Sequence, residues 1–379
     1  MALTKGIDPG ASPTMPAPAP QSNAAKAHRD RVRVRGATVG EGPAIAALWR
    51  ELWDAHQAWG GYPGSRDEGV YARLAGRLDE DARVRSGWPI LGNHAHLVAD
   101  LGAAPCGQVE GWLERRGPGP RAPLLCEVRS LIVGGRVRGA GVGRALLDAL
   151  AGTAQAVAPA APCLLAAEVL EPNPAHGFYA RVGFTPVAWS TCVDPAEGAL
   201  RGGTSGGLVA RMAGPNDASA ISTLEGILAE RRRAAGDLRF EPPRAIDASL
   251  LTAVAAHLAA DAREQRDTAT IVAVDRAGAV RGAASVMVQT LDPPFLPVRR
   301  SLIGRFALDP DCPPLALLGP LVALGCRFAA ERGALRVELT DLSGPESDLY
   351  DAALALGAKP WSRVVLRQLP VPCPLPPHG

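Results

Sequence analysis

The apolar positions of this chain change period several times, from every second residue to every third or fourth and back. Alternation over 32–37 predicts a strand, and Ile45, Leu48, Trp49 and Leu52 on one face predict a helix over 43–53. A second, more polar helix is expected over 68–82. Strands are expected at 94–100 and 108–115, joined by a Gly-Ala-Ala-Pro turn, and a longer one at 124–133. A glycine-rich turn then leads into a helix with Leu146, Leu147 and Leu150 on its apolar stripe. A strand at 163–170, a short helix at 175–182 and a closing strand at 185–192 complete this series. The order then repeats, with strands at 208–212, 270–274, 280–291, 301–308, 335–341 and 363–369 and helices at 217–232, 248–263, 315–332 and 347–356. Even Gly183-Phe-Thr-Pro186 has an echo in Gly357-Ala-Lys-Pro360. The pattern predicts an α/β chain built as a strongly diverged tandem duplication.

Composition marks the boundaries. Residues 1–30 are rich in Pro, Ala and Ser without periodicity and are expected to be a disordered tail. The Gly-Ser-rich stretch 201–207 reads as a linker between segments 31–200 and 208–369, and 370–379 as a Pro-rich tail. A net charge of +2, with charged residues at 21%, gives no clustered basic face for nucleic acid. The seven cysteines (Cys106, Cys126, Cys163, Cys192, Cys312, Cys326, Cys373) are scattered without a CxxC pair, so neither a metal site nor a disulfide framework is expected. No signal-like stretch and no run of about 18 apolar residues stands out, so a cytoplasmic protein without a membrane partner is expected.

The most informative stretch is Arg138-Gly-Ala-Gly-Val-Gly-Arg144, between a predicted strand and a predicted helix. Alternate glycines uncover backbone N–H groups at the positive end of a helix dipole, which suits a pyrophosphate. A Walker A loop would need Lys-Ser/Thr after the last glycine, where Arg144 and Ala145 stand. A dinucleotide fingerprint would need a small residue at Arg144 and an early place in a βαβ unit, and this turn comes after about five elements.

Arg138-x-x-Gly141-x-Gly143, followed by Asn173-Pro-Ala-His-Gly-Phe-Tyr-Ala-Arg-Val-Gly-Phe184, resembles the two ordered signatures of the Gcn5-related N-acetyltransferase (GNAT) superfamily. Asn173 stands one residue nearer Tyr179 than in that pattern. The resemblance implies two tandem acyl-CoA N-acyltransferase folds, each a splayed mixed β-sheet flanked by helices. It implies acetyl-CoA as cosubstrate and no metal. The pantetheine arm would pair with backbone at Leu131, Ile132 and Val133. The pyrophosphate would lie on Arg138, Gly139, Ala140, Gly141, Val142, Gly143 and Arg144, with Asn173 nearby. Glu127 stands at the family's general-base offset, and its apolar sequence neighbours would favour the protonated carboxyl, with a structural ion pair to Arg129 or another base as the alternative. Tyr179 would be the general acid. His94 and His96 on one strand face, and Trp49, Trp53, His56 and Trp59, are weaker candidates for the acceptor site, with a core role as the alternative.

The expected reaction is acetyl transfer from acetyl-CoA to a primary amine on a small molecule, by direct attack in a ternary complex of a monomer or homodimer. The alternatives are protein N-terminal or lysine acetylation, or a non-catalytic acyl-CoA-binding protein. Matching Val133 to Leu308 puts Pro313, Ala316 and Leu318 at the places of Arg138, Gly141 and Gly143, and Leu302 at that of Glu127. The second segment is therefore expected to be a degenerate copy.

Overall fold

The computed structural model describes residues 32–370 other than 103, 118–120, 202–206, 265, 292–293 and 346. The predicted tail 1–30, and all but the edges of the predicted linker 201–207 and tail 370–379, lie outside the described residues. The first half runs β1 (Arg33–Gly36), α1 (Gly42–Ala58), α2 (Glu68–Arg85), β2 (Ile90–Leu91), β3 (His94–Asp100), β4 (Pro105–Arg115), β5 (Leu124–Val133), α3 (Val142–Val157), β6 (Cys163–Leu170), α4 (His176–Arg181) and β7 (Thr185–Val193). A helix absent from the sequence reading follows, α5 (Pro195–Arg201). The second half runs β8 (Val209–Met212), α6 (Ala218–Ala234), α7 (Ala248–Glu264), β9 (Thr268–Val274), β10 (Val280–Thr290), β11 (Arg299–Leu308), α8 (Pro314–Glu331), β12 (Ala334–Leu342), α9 (Asp348–Ala355) and β13 (Lys359–Leu369).

The two halves repeat in detail. Helices α1 and α6 both have 17 residues, strands β5 and β11 both have 10, and β4 and β10 both have 11. After α1 and α6 the chain turns through Gly60 (φ 79°) and Gly236 (φ 86°), a left-handed conformation that a side chain would strain. Gly61 N–H donates to His56 O and, at the matching place, Asp237 N–H donates to Arg232 O.

All strands form one sheet, ordered β1-β3-β4-β5-β6-β13-β7-β12-β11-β10-β9-β8, with β2 on β3. The sequence reading assigned 363–369 to the second segment's own sheet. The structure instead seats β13 antiparallel between β6 and β7 of the first half, from Ser362 opposite Leu170 to Leu369 opposite Cys163. In return, β7 pairs antiparallel with β12 of the second half, Val193 opposite Val337. The reason is not local, because β13 reads as an ordinary strand and its partners are decided by the whole sheet.

The cores are exchanged as well. Val365 and Leu369 join the core built on Leu146, Leu147 and Leu150 of α3, while Val193 joins the core built on α8. Helix α5 packs on α8 so closely that a Cβ at Gly198 would lie 2.5 Å from Cys326 Sγ. By length and composition α8 could cross a membrane, but 61% of that window is buried in this fold, where it centres the second core.

The loop after α1 reaches across to the second half. Leu296 N–H donates to Pro63 O and Ser65 N–H to Pro294 O, while Phe295 lies 3.8 Å from the Trp53 ring. The loop after α6 makes the reciprocal crossing. Leu238 rests on Leu125, Leu164 and Ala166 of the first half, and Tyr62 lies with Arg300, Arg336 and Glu338 at the matching places of the second.

Without β13 the first half would expose the full edge of β6, and β7 would lose its link to that sheet. The described body is therefore expected to unfold as one cooperative unit. A chain truncated after Leu356 should aggregate or fail to fold, whereas two independent domains would leave the first half intact. Calorimetry of the full chain, expected to give one transition, and solubility of the truncated chain check this.

Candidate active site

Strand pairing fixes which side chains share a face, because directly opposed residues project to the same side. One face carries Ala95, Leu97, Val109, Leu124, Cys126 and Leu165 against α3. The opposite face, where Val98 packs under α1 and α2, carries a row of directly opposed residues: His94, Trp112, Glu127 and Ala166.

Strands β5 and β6 are parallel and paired only from Leu124–Cys163 to Val128–Ala167. Beyond that they part, and Arg129–Val133 keep β4 as their only strand partner. The register of β5 on β4 shifts between Val128 and Ser130, a bulge at Arg129 beside the parting. The backbone of Leu131, Ile132 and Val133 thus borders a wedge-shaped gap, where an extended amide-bearing arm can add as a strand would.

Eight residues, 134–141, join β5 to α3. Gly135 N–H is held by Glu51 Oε2 at 2.9 Å, and Arg138 Nε donates to Val133 O at 3.2 Å. Gly141 caps α3 in the left-handed region (φ 88°), so the N–H groups that open α3 stand clear of side chains. Val142 is buried under the turn, Gly143 abuts Phe178, and Arg144 is exposed, 3.9 Å from Asp148. Gly139 (φ 84°) and Ala140 complete the turn.

The second half lacks this turn. Only five residues, 309–313, separate β11 from α8, and Asp309 and Asp311 stand among them. Ala316 and Leu318, matched by position to Gly141 and Gly143, therefore lie inside α8 rather than in a turn. The gap between β11 and β12 is also differently furnished. Arg305 and Asp341 take its edges with positive φ, and Arg239 donates to Asp341 at 2.9 Å and to Asp237 at 2.8 Å. Burial works against the charge on Asp237, but Arg239 and Arg232 outweigh it and hold its carboxyl below the usual range.

Tyr179 ends up as the resemblance implied, on short α4 beside Phe178 (5.4 Å) and Phe184 (5.2 Å). Burial pushes its phenol up, so it stays protonated at neutral pH, and its hydroxyl has no hydrogen-bond partner among the described residues. Asn173 Oδ1 accepts from Ala175 N–H at 2.9 Å and so shapes the start of α4.

For Glu127 the ion-paired alternative holds. Its neighbours Cys126 and Val128 face the α3 core while Leu125 shares its face, and its side chain is 38% exposed, with Arg129 at 2.7 Å and Arg116 at 3.9 Å. The setting is ionic, not apolar. The two histidines do share the face of Glu127. His96 Nε2 meets Gln108 Oε1 at 3.0 Å, and Gln108 Nε2 donates to Ser130 Oγ at 3.3 Å, a buried polar chain running to the bulge. His94 stacks on Trp112 at 4.9 Å, while Trp53 and the aromatic residues around it are packing groups against the second half.

Two polar residues near the gap escaped the sequence reading. Glu168 is the first residue of β6 past the last pair with β5. Its signal was a lone carboxylate in an otherwise apolar strand. Ser362 of β13, fully buried, donates to Glu168 Oε1 at 2.5 Å, and no local signal could have found it. Among the described residues no group of His, Cys, Asp and Glu is arranged to hold a metal.

His94 yields a stability test. Arg85 Nη2 approaches its Nδ1 at 2.7 Å, which leaves the neutral ring with its proton on a buried, unpartnered Nε2. Burial first, then Arg85 and His96, lower its pKa to about 4. The unfolded ring titrates near 6.5, so stability present above about pH 6.5 is lost as pH falls toward 4, by at most roughly 1.4 kcal/mol per pH unit. His94→Gln should flatten the fall in melting temperature between pH 7 and pH 5, and thermal melts across that range check it.

Residues 92–186 match the family described as an acetyltransferase (GNAT) domain. A Gcn5-related N-acetyltransferase from Sphaerobacter thermophilus shares the fold at 18% identity, with 89% of this chain and 96% of that one covered and a TM-score of 0.53. A tandem GNAT protein from the clavulanic acid biosynthesis pathway shares it at 19% identity, with 89% and 98% covered and a TM-score of 0.50. No curated protein matches the sequence.

Proposed function

We propose that the first half, where residues 92–186 match the acetyltransferase (GNAT) domain family, transfers an acetyl group from acetyl-CoA to a primary amine of a small molecule. The observation that carries this is the coincidence of an eight-residue glycine turn with the parting of β5 and β6 in one half only. The pantetheine arm lies along Leu131–Ile132–Val133, and the pyrophosphate sits on the N–H groups from Gly139 to Gly143, with Arg138 and Arg144 adding charge. The acceptor arrives on the opposite face, under the α1–α2 side, so a ternary complex and direct attack need no covalent enzyme intermediate.

Glu127 is the proposed base on that face. To take a proton from the incoming ammonium it exchanges its contact with Arg129 for the amine. Tyr179, protonated and beside the turn, supplies the proton to the departing thiolate. The second half, with its shorter connection and its gap bridged by Arg239 and Asp341, binds no second cofactor. A small-molecule acceptor is favoured over a protein because loops from both halves cover the sheet face, where a peptide would need an open track.

Three measurements test this. Titration calorimetry should find one acetyl-CoA per chain, and two would refute the asymmetry of the halves. Gly143→Val, whose side chain crowds Phe178 and the pyrophosphate N–H groups, should abolish that binding while the circular dichroism spectrum is kept. Glu127→Gln should lower kcat by about 10²–10⁴-fold and flatten the alkaline-rising limb, and Tyr179→Phe should lower kcat at unchanged acetyl-CoA affinity. Wild-type turnover in either variant, with chemistry rate-limiting, removes that residue from the mechanism.

A further inference from the structure

We propose that Glu168, oriented by Ser362 from the second half, anchors the ammonium of the acceptor at the mouth of the gap. The inference rests on the acyl-transfer reading and adds the residue that holds the substrate. Three observations converge on it. First, position: the last β5–β6 pair is Val128 with Ala167, so Glu168 is the first side chain on the acceptor side where the strands have parted. It shares the face of Ala166, the residue directly opposite Glu127. Glu168 stands two residues along β6 from Ala166, so the two glutamates border the same stretch of that face, one on each side of the parting.

Second, availability. Among the described residues the carboxylates of this sheet face differ in their partners, and Glu110, opposite Ser130, forms no ion pair but lies on β4, a strand away from the gap. Glu127 is engaged by Arg129 and Arg116, and Glu338, in the second half, by Tyr62 and Arg300. Glu168 has no Lys, Arg or His within ion-pair distance. Its one hydrogen bond is the 2.5 Å donation from Ser362 Oγ. A hydroxyl donor brings no compensating charge, Glu168 is exposed, and the nearby Glu338 carboxyl adds to the site's attraction for a cation.

Third, orientation. Ser362 is fully buried, on a strand fixed on both sides by β6 and β7. A carboxylate on an exposed strand position would sample several rotamers. One held from a buried, doubly paired strand keeps one, and so presents its free oxygen with little loss of side-chain entropy on binding. The second half thereby acquires a place in substrate recognition without any cofactor chemistry of its own.

The division of labour is testable. Glu168 should act on binding of the amine, and Glu127 on its deprotonation. The full-length protein is assayed with acetyl-CoA and a fixed panel of primary amines (spermidine, histamine, glucosamine and L-lysine), and kinetics are taken on whichever turns over fastest. Glu168→Gln, nearly isosteric, should raise the KM for that amine about 10- to 100-fold, as loss of a charged hydrogen bond does. Acetyl-CoA affinity, kcat and the alkaline-rising limb should stay near wild type. Ser362→Ala should raise the same KM by a smaller factor, and Ser362→Thr, which keeps the hydroxyl, should restore it. An amine KM unmoved by Glu168→Gln, or a fall in kcat at unchanged KM, overturns the anchoring role and leaves acyl transfer standing. Turnover of no amine in the panel by the wild type overturns the acyl-transfer reading, and the anchoring role with it.

Discussion

The backbone ladder that seats β13 between β6 and β7 is the constraint on which the molecule depends. Strands β6 and β7 are not hydrogen-bonded to one another, so the first half's sheet reaches its last strand only through a strand contributed from the far end of the chain. The same exchange places β7 on β12 and carries α5 onto α8. Hydrogen bonds and apolar burial therefore cross the boundary between the halves instead of stopping at it. The loops follow suit on one face of that sheet, with Tyr62 covering part of the second half and Leu238 part of the first.

Within that frame the halves differ by small changes at matched places. The bulge residue next to the first gap is followed by Ser130, short and hydrogen-bonded to Gln108. The corresponding residue of the second half is Arg305, held in the left-handed region and paired with Glu225. The first gap keeps an aliphatic edge at Val169, where the second carries Asp341 bonded to Arg239. A glycine turn of eight residues stands against an acidic one of five. Under the proposed function, each change would remove something an anionic, extended cofactor needs: room, backbone donors or favourable charge.

Much of this was legible in the sequence. Strand bounds at 94–100, 124–133 and 163–170 were read to the residue, because alternation and flanking glycine or proline delimit them sharply. The glycine turn was legible because its geometry is local: glycine φ angles and a helix start depend on a handful of neighbours. For Glu127 the sequence left an apolar setting and an ion pair with Arg129 both open; the pair forms, because Cys126 and Val128 point to the other face of the strand while Arg116 and Arg129 approach from a hairpin end and a bulge. Glu168 was visible as an odd carboxylate but had no context. Ser362 had none either, since its cross-strand neighbours, Ser190 and Leu170, lie 172 and 192 residues back along the chain.

The exchange of closing strands also sets how such a chain can change over generations. Two identical copies that had swapped their last strands would, once joined end to end, give this sheet order. Each copy would then begin with a cofactor gap of its own. On the proposed reading, a mutation that shortened one glycine turn would silence one gap and leave the sheet whole, and would be tolerated while its twin still worked. A mutation that deleted the silent copy would remove β13 from the working one, and would not be. Selection on a single reaction thus preserves the backbone of both copies while releasing the side chains of one. That asymmetry accounts for halves whose strands agree in length and whose sequences scarcely agree at all.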